Sequence, residues 1–266
     1  MVDAEGSSVR YDVDGAVATI TLNRPDAMNA LDLATKDQLL AAVESAASDS
    51  SVRAVILTGT GRAFCVGQDL KEHIRLMADD PAKVWDTVER HYNPIATALA
   101  TMPKPVVAAV NGVAAGAGAS FAFACDFRLV ADSASFTLAF AGIALSCDSG
   151  SSFWLPRLVG VTKATELLML PRSVTAAESL EIGIATEVHP AGELEAAARD
   201  LAARLAAGPT LAYASIKASL LHAQTHSLPE ALAFEGEKMA LTGVSADHLG
   251  AVDAFVAKTK PTFTGV

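Results

Sequence analysis

The stretch from Lys104 to Asp126, KPVVAAVNGVAAGAGASFAFACD, constrains this chain more than any other part of it. It opens with an unbroken apolar run, Val106 to Val110, which is typical of a buried strand, and Asn111-Gly112 then signals a tight turn. A glycine-rich segment and a run of small and aromatic residues at helical spacing follow. The pattern therefore predicts a strand, a turn and a buried helix, with glycines that let another chain or a ligand approach the backbone closely.

The amino end of such a helix can hold an anion, because its first N–H groups have no partner within the helix and its dipole is positive there. This arrangement suits an oxygen that gains negative charge during a reaction. Close packing of a buried helix against a sheet explains the same glycines equally well. The stretch by itself leaves both interpretations open.

The composition of the chain excludes several classes of protein. Its 266 residues suffice for one large domain or for a domain with an appendage. Hydrophobic residues make up 51% but aromatic residues only 6%, so alanine supplies much of the apolar content, which favours a helix-rich α/β protein. The net charge of −10 argues against a nucleic-acid partner, and no apolar run is long enough to predict a membrane span.

The cysteine and histidine residues show no spacing typical of disulfides or metal sites. Three cysteines, Cys65, Cys125 and Cys147, lack paired spacing and are expected to be buried thiols in a cytoplasmic protein without a secretory signal. Histidine and cysteine clusters at ligand spacing are absent, so we expect no structural or catalytic metal.

Turn and capping signals divide the chain into strands and helices that alternate up to about residue 190, with helices alone after it. The segment from Val9 to Leu22 predicts a β-hairpin that turns at Asp14-Gly15. Asp32 is the expected N-cap of a helix that ends near Ala47. Residues 73–80 carry little pattern, and Asp80-Pro81 is predicted to open a helix through Tyr92.

Several common motifs fail. Gly59-Thr60-Gly61 follows a strand, but Phe64 stands where a dinucleotide fingerprint needs its third glycine, and no nucleophile elbow exists. What remains is two loops, at residues 64–71 and 111–118, and the single carboxylate of Asp148. Backbone donors for an oxygen and a base for a proton are the minimal set for enolate chemistry. The Asp-Ser-Gly-Ser context of Asp148 fits a helix N-cap as well.

With these features in view, the chain resembles the crotonase (enoyl-CoA hydratase/isomerase) superfamily. The motifs that carry the resemblance cover most of the chain in the right order: LNRPDAMNAL (22–31), GRAFCVGQDLKE (61–72), KPVVAAVNGVAAGAG (104–118), ACDFRLVADSASF (124–136) and LPRLVG (155–160). Within the superfamily, FCVGQDL, HYNP, GVAAGAGAS and IALSCDSGSSFWLPR are most similar to the PaaG-type isomerases of phenylacetate catabolism.

The resemblance implies an α/β fold of the crotonase (ClpP-like) type, in which ββα units form a spiral. Residues 1–195 would form the spiral core with the CoA and acyl sites. Residues 196–266 would form a helical oligomerisation region that builds a homotrimer or a dimer of trimers. An acyl-CoA thioester would be the substrate, so that coenzyme A is part of the substrate and not a cofactor.

The resemblance also assigns site residues by motif position. The two backbone N–H groups of an oxyanion hole fall at Gln68 and Ala117. The CoA and acyl groups are expected near a short set of residues: Arg24, Val66, Asp69, Leu70, Lys71 and Phe140. The acidic residues of this CoA loop, Asp69 and Glu72, are expected to be exposed.

Departures from the family pattern point to one kind of chemistry. The two glutamates of hydratases correspond to Ser120 and Phe140, and neither can transfer a proton as a carboxylate does. Dehalogenase-like members combine an aspartate at the Asp148 position with a tryptophan and a histidine, which are replaced here by Phe140 and Asn93. PaaG-like isomerases keep a single aspartate, as this chain does, although Ser146-Cys147 replaces their Ile-Pro-like pair.

The expected function is therefore acyl-CoA isomerisation, in which Asp148 removes a proton and returns it at another carbon. Two alternatives stay open at this point. One is an enoyl-CoA hydratase whose water is oriented by hydroxyls such as that of Ser120. The other is a non-catalytic acyl-CoA binder.

Overall fold

Strands and helices alternate up to His189 and helices alone follow, as the sequence predicts. The structure is a computed structural model, and it describes residues 7–81 and 83–266. The strands are β1 Val9–Asp14, β2 Val17–Leu22, β3 Ala54–Gly59, β4 Ala63–Cys65, β5 Val106–Val110, β6 Val113–Ala115, β7 Phe127–Ala131, β8 Ser135–Thr137, β9 Ser173–Thr175 and β10 Glu187–His189. The helices are α1 Leu33–Ser48, α2 Leu70–Asp79, α3 Asn93–Thr101, α4 Ala117–Ala124, α5 Ser151–Val159, α6 Val161–Met169, α7 Ala176–Glu181, α8 Leu194–Ala206, α9 Thr210–Ala223, α10 Leu228–Gly243 and α11 Ala246–Ala257.

The larger sheet has the strand order β1-β2-β3-β5-β7-β10. Only the β1–β2 pair is antiparallel, and it is the predicted hairpin, with Gly15 at the turn in a left-handed conformation (φ +58°). Strand β5 lies inside the sheet between β3 and β7, and all five of its residues are buried. A parallel strand covered on both faces has no polar side to present, which explains its continuous apolar sequence.

A second, smaller sheet has the order β4-β6-β8-β9. Its first three strands each follow a strand of the larger sheet after a short turn, and they run parallel to one another. The chain thus repeats a strand of the larger sheet, a short strand of the smaller sheet and then a helical segment. This repeat is the α/β architecture that the sequence predicts.

The predicted N-cap at Asp32 is confirmed. Its carboxylate accepts the backbone N–H of Thr35 at 2.9 Å, and the helix that it opens, α1, buries Leu39 and Val43 against the core. Capping of one unpaired N–H group in this way typically contributes about 1 kcal/mol to the free energy of unfolding.

Residues 73–80, which carry little sequence pattern, are mostly helical, because α2 occupies most of them. The side chain of Asp69 accepts the backbone N–H groups of Lys71 and Glu72 and so caps the first turn. The apolar side chains on this helix remain largely exposed, with Ile74 at 69%. The start of this helix is therefore stabilised by its local cap and not by burial of an apolar face.

The prediction that a helix starts at Asp80-Pro81 is wrong. Asp80 instead ends α2, donating its backbone N–H to the carbonyl of Leu76. The chain then forms a 3₁₀ turn at Lys83–Trp85 and a π-helical turn at Val88–Tyr92, which continues directly into α3. The wider π turn rotates His91 and Tyr92 into the interior, where both are buried.

The carboxyl-terminal helices divide into one that packs on the larger sheet and three that follow it. Helix α8 buries Ala198 and Ala202 against that sheet, so the expected boundary between residues 195 and 196 falls inside a helix of the core. Helices α9 and α10 pack against each other, and α11 leaves Phe255 83% exposed. Among the described residues, no helix has the length and hydropathy needed to cross a bilayer.

Gly118 provides a test of how closely α4 packs. A Cβ at this position would lie 2.2 Å from the carbonyl oxygen of Cys65, whereas one at Gly236 in α10 would meet nothing within 4 Å. We therefore expect Gly118→Ala to lower the free energy of unfolding by about 1–3 kcal/mol, because the backbone must shift. Gly236→Ala is the control and should leave it unchanged or raise it by up to about 1 kcal/mol. Denaturant unfolding measures both, and a Gly118→Ala protein of wild-type stability would contradict this packing.

Candidate functional site

The two loops singled out in the sequence meet at Gly67. This residue has a left-handed backbone (φ +83°), and a Cβ on it would lie 3.0 Å from the carbonyl oxygen of Ala115 and 3.4 Å from the backbone nitrogen of Ala117. A side chain here would therefore press on the loop that opens α4. Glycine allows the segment before Gln68 to lie directly against the start of that helix.

Among the described residues, the backbone N–H groups of Gln68 and Ala117 are left without acceptors. On either side of Gln68, Leu31 donates to the carbonyl of Gly67 at 2.8 Å and Asp69 donates to the carbonyl of Leu31 at 3.2 Å. Within residues 7–81 and 83–266, neither the Gln68 nor the Ala117 N–H has a hydrogen-bond acceptor. Buried backbone N–H groups are nearly always paired, and Ala117 is buried, so these two donors suit an oxygen from a ligand.

The helix that carries Ala117 is held by side chains that cannot act as acids. Ser120 is fully buried, and its hydroxyl lies 3.1 Å from the carbonyl oxygen of Gly116 and 2.5 Å from the hydroxyl of Ser151. Phe140 is buried, with its ring near Gly116. The two positions that the family resemblance matches to the glutamates of hydratases thus hold a hydrogen-bonded hydroxyl and an aromatic ring.

Asp148 lies in the turn that leads into α5. Its carbonyl accepts the N–H of Ser151 at 3.0 Å, while Ser149 and Gly150 both have left-handed backbones. The N-cap of α5 is Gly150, with no side-chain capping bond, so the alternative of Asp148 as a helix cap is wrong. The Asp148 carboxylate accepts a hydrogen bond from the Ser149 hydroxyl at 2.8 Å.

The surroundings of Asp148 make its carboxylate a stronger base. Burial raises its pKa above the usual range of an aspartate, and the hydrogen bond from Ser149 only partly offsets this effect. A raised pKa brings a carboxyl group closer to the range in which it can both take up and release a proton.

Tyr92 is a site residue to which the sequence analysis assigned no role. Its hydroxyl donates to the side-chain Oε1 of Gln68, and its ring packs edge-on against Phe121 of α4, with centroids 6.1 Å apart. Burial raises the pKa of Tyr92, and the charge of Asp148 raises it further. Tyr92 thus links the side chain of Gln68 to Phe121 on α4. Tyr92 belongs to the HYNP motif at residues 91–94, and this motif is the sequence feature that could have pointed to it.

The residues expected to hold CoA form a loop anchored by ion pairs. The guanidinium of Arg24 lies 3.1 Å from the carboxylates of both Asp32 and Asp69. The expected exposure of Asp69 and Glu72 is wrong, because their side chains are only 12% and 10% exposed. Asp69 caps α2 and pairs with Arg24, and Glu72 pairs with a buried lysine, Lys36.

The remaining expected CoA contacts on this loop differ in their exposure. Lys71 is exposed and Leu70 is 61% exposed, whereas Val66 is half-buried next to Gly67.

The three cysteines are free thiols, of which Cys65 and Cys125 are buried and Cys147 is half-buried. In the part of the chain that the structure describes, no group of three or more histidine, cysteine or acidic side chains is placed to hold a metal ion.

Comparison with known proteins identifies the fold and the family. The family model described as enoyl-CoA hydratase/isomerase matches residues 12–266. The chain belongs to this family. A crystal structure of an enoyl-CoA hydratase/isomerase from Mycobacterium abscessus superimposes with a TM-score of 0.94 at 42% identity, covering 97% of this chain and 100% of that one. The ββα repeat is thus the crotonase fold that the sequence resemblance implied.

Two curated relatives in the enoyl-CoA hydratase/isomerase family carry different names. A probable enoyl-CoA hydratase of Rhodobacter capsulatus is 40% identical over 258 residues, covering 97% of this chain and 98% of its own length. The 1,2-epoxyphenylacetyl-CoA isomerase of Escherichia coli is 39% identical over 253 residues, covering 95% of this chain and 97% of its own length. The similarity to PaaG-type isomerases is confirmed, and the names leave hydration and isomerisation both within the range of the family.

The burial of Asp148 predicts a specific dependence of stability on pH. Its pKa is higher in the folded than in the unfolded chain, so the folded state binds more protons between the two values and stability falls as pH rises through that window. Asp148→Asn cannot ionise, so we expect its stability relative to wild type to increase across the same window. Asp200→Asn, at an exposed position on α8, is the control. Thermal unfolding at a series of pH values measures this effect, and a constant difference between Asp148→Asn and wild type would contradict it.

Proposed function

We propose that this enzyme isomerises the double bond of an acyl-CoA thioester through an enolate. The observation that carries the proposal is that Asp148 is a half-buried carboxylate whose pKa is raised by desolvation and which caps no helix. By the family resemblance, Ser120 and Phe140 stand at the two positions at which hydratases carry glutamates. One base that can become the acid is sufficient for moving a proton between two carbons, as in ketosteroid isomerase. Addition of water by the usual two-glutamate route needs a second carboxylate.

In the proposed reaction, Asp148 removes a proton from the carbon next to the thioester carbonyl of a 3-enoyl-CoA. The electron pair of that C–H bond moves onto the carbonyl oxygen, which the N–H groups of Gln68 and Ala117 stabilise. The neutral Asp148 then donates a proton to the carbon at position 4, and the double bond shifts to positions 2 and 3. One proton is removed and one is added, and the carboxyl proton can exchange with solvent in between, so no further reactant is needed.

The state of Ser120 favours isomerisation over hydration. A hydroxyl that orients a water must have a free lone pair or proton directed into the site. The hydroxyl of Ser120 is fully buried and lies within hydrogen-bond distance of both Gly116 and Ser151. The name of the E. coli relative, an isomerase of an aromatic-derived CoA thioester, supports the same choice.

The environment of Asp148 also favours an enzyme over a non-catalytic binder. Burying a carboxylate without an ion pair destabilises its charged form. A protein that only binds acyl-CoA gains nothing from that cost, whereas a general base becomes more effective. For CoA binding we propose the loop formed by Arg24, Val66, Asp69, Leu70 and Lys71, with the buried Phe140 beside the acyl group.

The central test is Asp148→Asn. We expect isomerisation of a 3-enoyl-CoA to fall at least about 100-fold, because a positioned general base contributes about 100- to 10,000-fold. Exchange of the α-proton of a bound acyl-CoA with deuterated solvent should fall in parallel, and affinity for a saturated acyl-CoA should change little. Asp200→Asn is the matched control and should retain full activity.

Substrates separate the proposal from its alternatives. Wild-type protein should isomerise 3-enoyl-CoA and should hydrate trans-2-enoyl-CoA far more slowly. Faster hydration would favour the hydratase, and the absence of both turnover and deuterium exchange would favour the binder. An Asp148→Asn protein that isomerises at the wild-type rate would exclude the mechanism.

We also propose that α9 to α11 carry the interface of a trimer or a dimer of trimers. Large apolar side chains on these helices are exposed, among them Leu220 at 65%, Met239 at 72% and Val256 at 75%. Apolar surface of this kind marks association sites.

A pair of methionines tests the interface. Met239 on α10 and Met169 on α6 are 72% and 70% exposed, so Glu at either position costs little in a monomer. We expect light scattering to give wild-type protein a mass of three or six chains. Met239→Glu should shift the mass towards the monomer, because the new charge would be buried in the interface, and Met169→Glu should not. A monomeric wild-type mass at micromolar concentration would contradict the trimer.

A further inference from the structure

A cluster of four polar side chains lies behind Gln68, and the chemistry described so far does not use it. The Gln68 cluster comprises Lys36 of α1, Gln68, Glu72 of α2 and Tyr92 of the π turn. The Nζ of Lys36 lies 3.1 Å from Oε1 of Glu72 and 3.4 Å from Oε1 of Gln68, which also accepts the hydroxyl of Tyr92. Three separate elements thus converge on a single glutamine side chain.

The Gln68 cluster is unusual because it buries opposite charges. The side chain of Lys36 is 2% exposed and that of Glu72 is 10% exposed, and the N–H of Leu33 also binds Glu72 at 2.9 Å. A buried ion pair is a weak source of stability, because removing both charges from water costs about as much as their attraction returns. Its best-attested use is to fix one arrangement of the groups around it.

Tyr92 connects both proposed oxyanion donors. Its hydroxyl binds the side chain of Gln68, and its ring packs against Phe121 on the helix that begins with Ala117. The turn that carries Tyr92 is itself anchored to α1, since His91 Nε2 lies 3.0 Å from the carboxylate of Asp37. A single buried phenol therefore spans the distance between the two loops.

We propose that Tyr92 is a positioning residue, which acts through the side chain of Gln68 to hold the Gln68 N–H in line with that of Ala117. This inference rests on the proposed function for the role of the two N–H groups. It assigns a task to the Gln68 side chain, where family resemblance assigns one only to the backbone. Lys36 and Glu72 also lie within hydrogen-bond distance of that side chain, at 3.4 Å from its Oε1 and 3.5 Å from its Nε2.

Loss of this positioning should weaken stabilisation of the transition state and leave the affinity for the bound substrate nearly unchanged. A hydrogen bond to an enolate oxygen strengthens as charge develops, so a misplaced donor lowers turnover more than ground-state affinity. Tyr92→Phe keeps the ring against Phe121 and removes only the hydroxyl. We expect kcat to fall about tenfold, corresponding to one hydrogen bond, with KM within about twofold of wild type.

The bound thioester gives a readout that does not depend on turnover. In wild type, the ¹³C resonance of a labelled acyl-CoA carbonyl should shift on binding, because two N–H groups polarise it. In Tyr92→Phe this resonance should move back towards its value in free acyl-CoA. The matched control is Tyr11→Phe, since the hydroxyl of Tyr11 is buried and has no hydrogen-bond partner among the described residues. It should change neither the resonance nor kcat.

A double-mutant cycle tests whether Tyr92 acts through Gln68. Gln68→Met keeps the backbone N–H and removes the side-chain acceptor, so it should reproduce the effect of Tyr92→Phe. Adding Tyr92→Phe to Gln68→Met should then cause no further loss of kcat. If Tyr92→Phe does not fold, Gln68→Met removes the same hydrogen bond from the other partner and carries the test alone.

The possible results separate this inference from the proposed function. Losses that multiply in the double variant, or a carbonyl resonance that stays at its wild-type position in Tyr92→Phe, would overturn the positioning role. A wild-type protein that shifts the carbonyl resonance, loses that shift in Tyr92→Phe and yet isomerises nothing would support the positioning role. That last result would exclude the isomerase.

Discussion

The contact between the amino end of α4 and the strand end at Cys65 is the constraint on which the site depends. Gly118 lies so close to the Cys65 carbonyl that no side chain fits between them, and Gly67 repeats this close approach two residues after Cys65. Because both contacts are between backbones, the separation of the two loops is fixed by the fold itself. The two unpaired N–H groups then owe their relative position to the absence of side chains.

The site divides its tasks between backbone and side chains. In the proposed reaction, a negative oxygen is stabilised by N–H groups that no substitution except proline can remove. Proton transfer is assigned to one carboxylate, Asp148, which lies in a turn and accepts a hydrogen bond from Ser149. The acidic residues of the neighbouring loop are occupied elsewhere, since Asp69 pairs with Arg24 and Glu72 with Lys36. Asp148 differs from both, because it forms no ion pair within the described residues.

The sequence predicted those parts of the molecule that depend on local chemistry. The hairpin at Gly15, the cap at Asp32 and the buried strand β5 follow from turn, capping and burial patterns that involve neighbouring residues. It did not predict α2, whose apolar face is exposed, or the burial of Glu72, whose partner Lys36 is distant in sequence. Tyr92 went unassigned for the same reason, because its role arises only where three elements meet.

The freedom of Asp148 from structural duties has an evolutionary consequence. Its carboxylate caps no helix and forms no ion pair within the described residues, so the turn around it does not need an acid in order to fold. A gene encoding this scaffold could exchange the proposed reactive group at that position, or add one at position 120 or 140, while the backbone of the proposed oxyanion site persists. Divergence of one fold towards several reactions then requires few mutations, each tolerated by the rest of the protein.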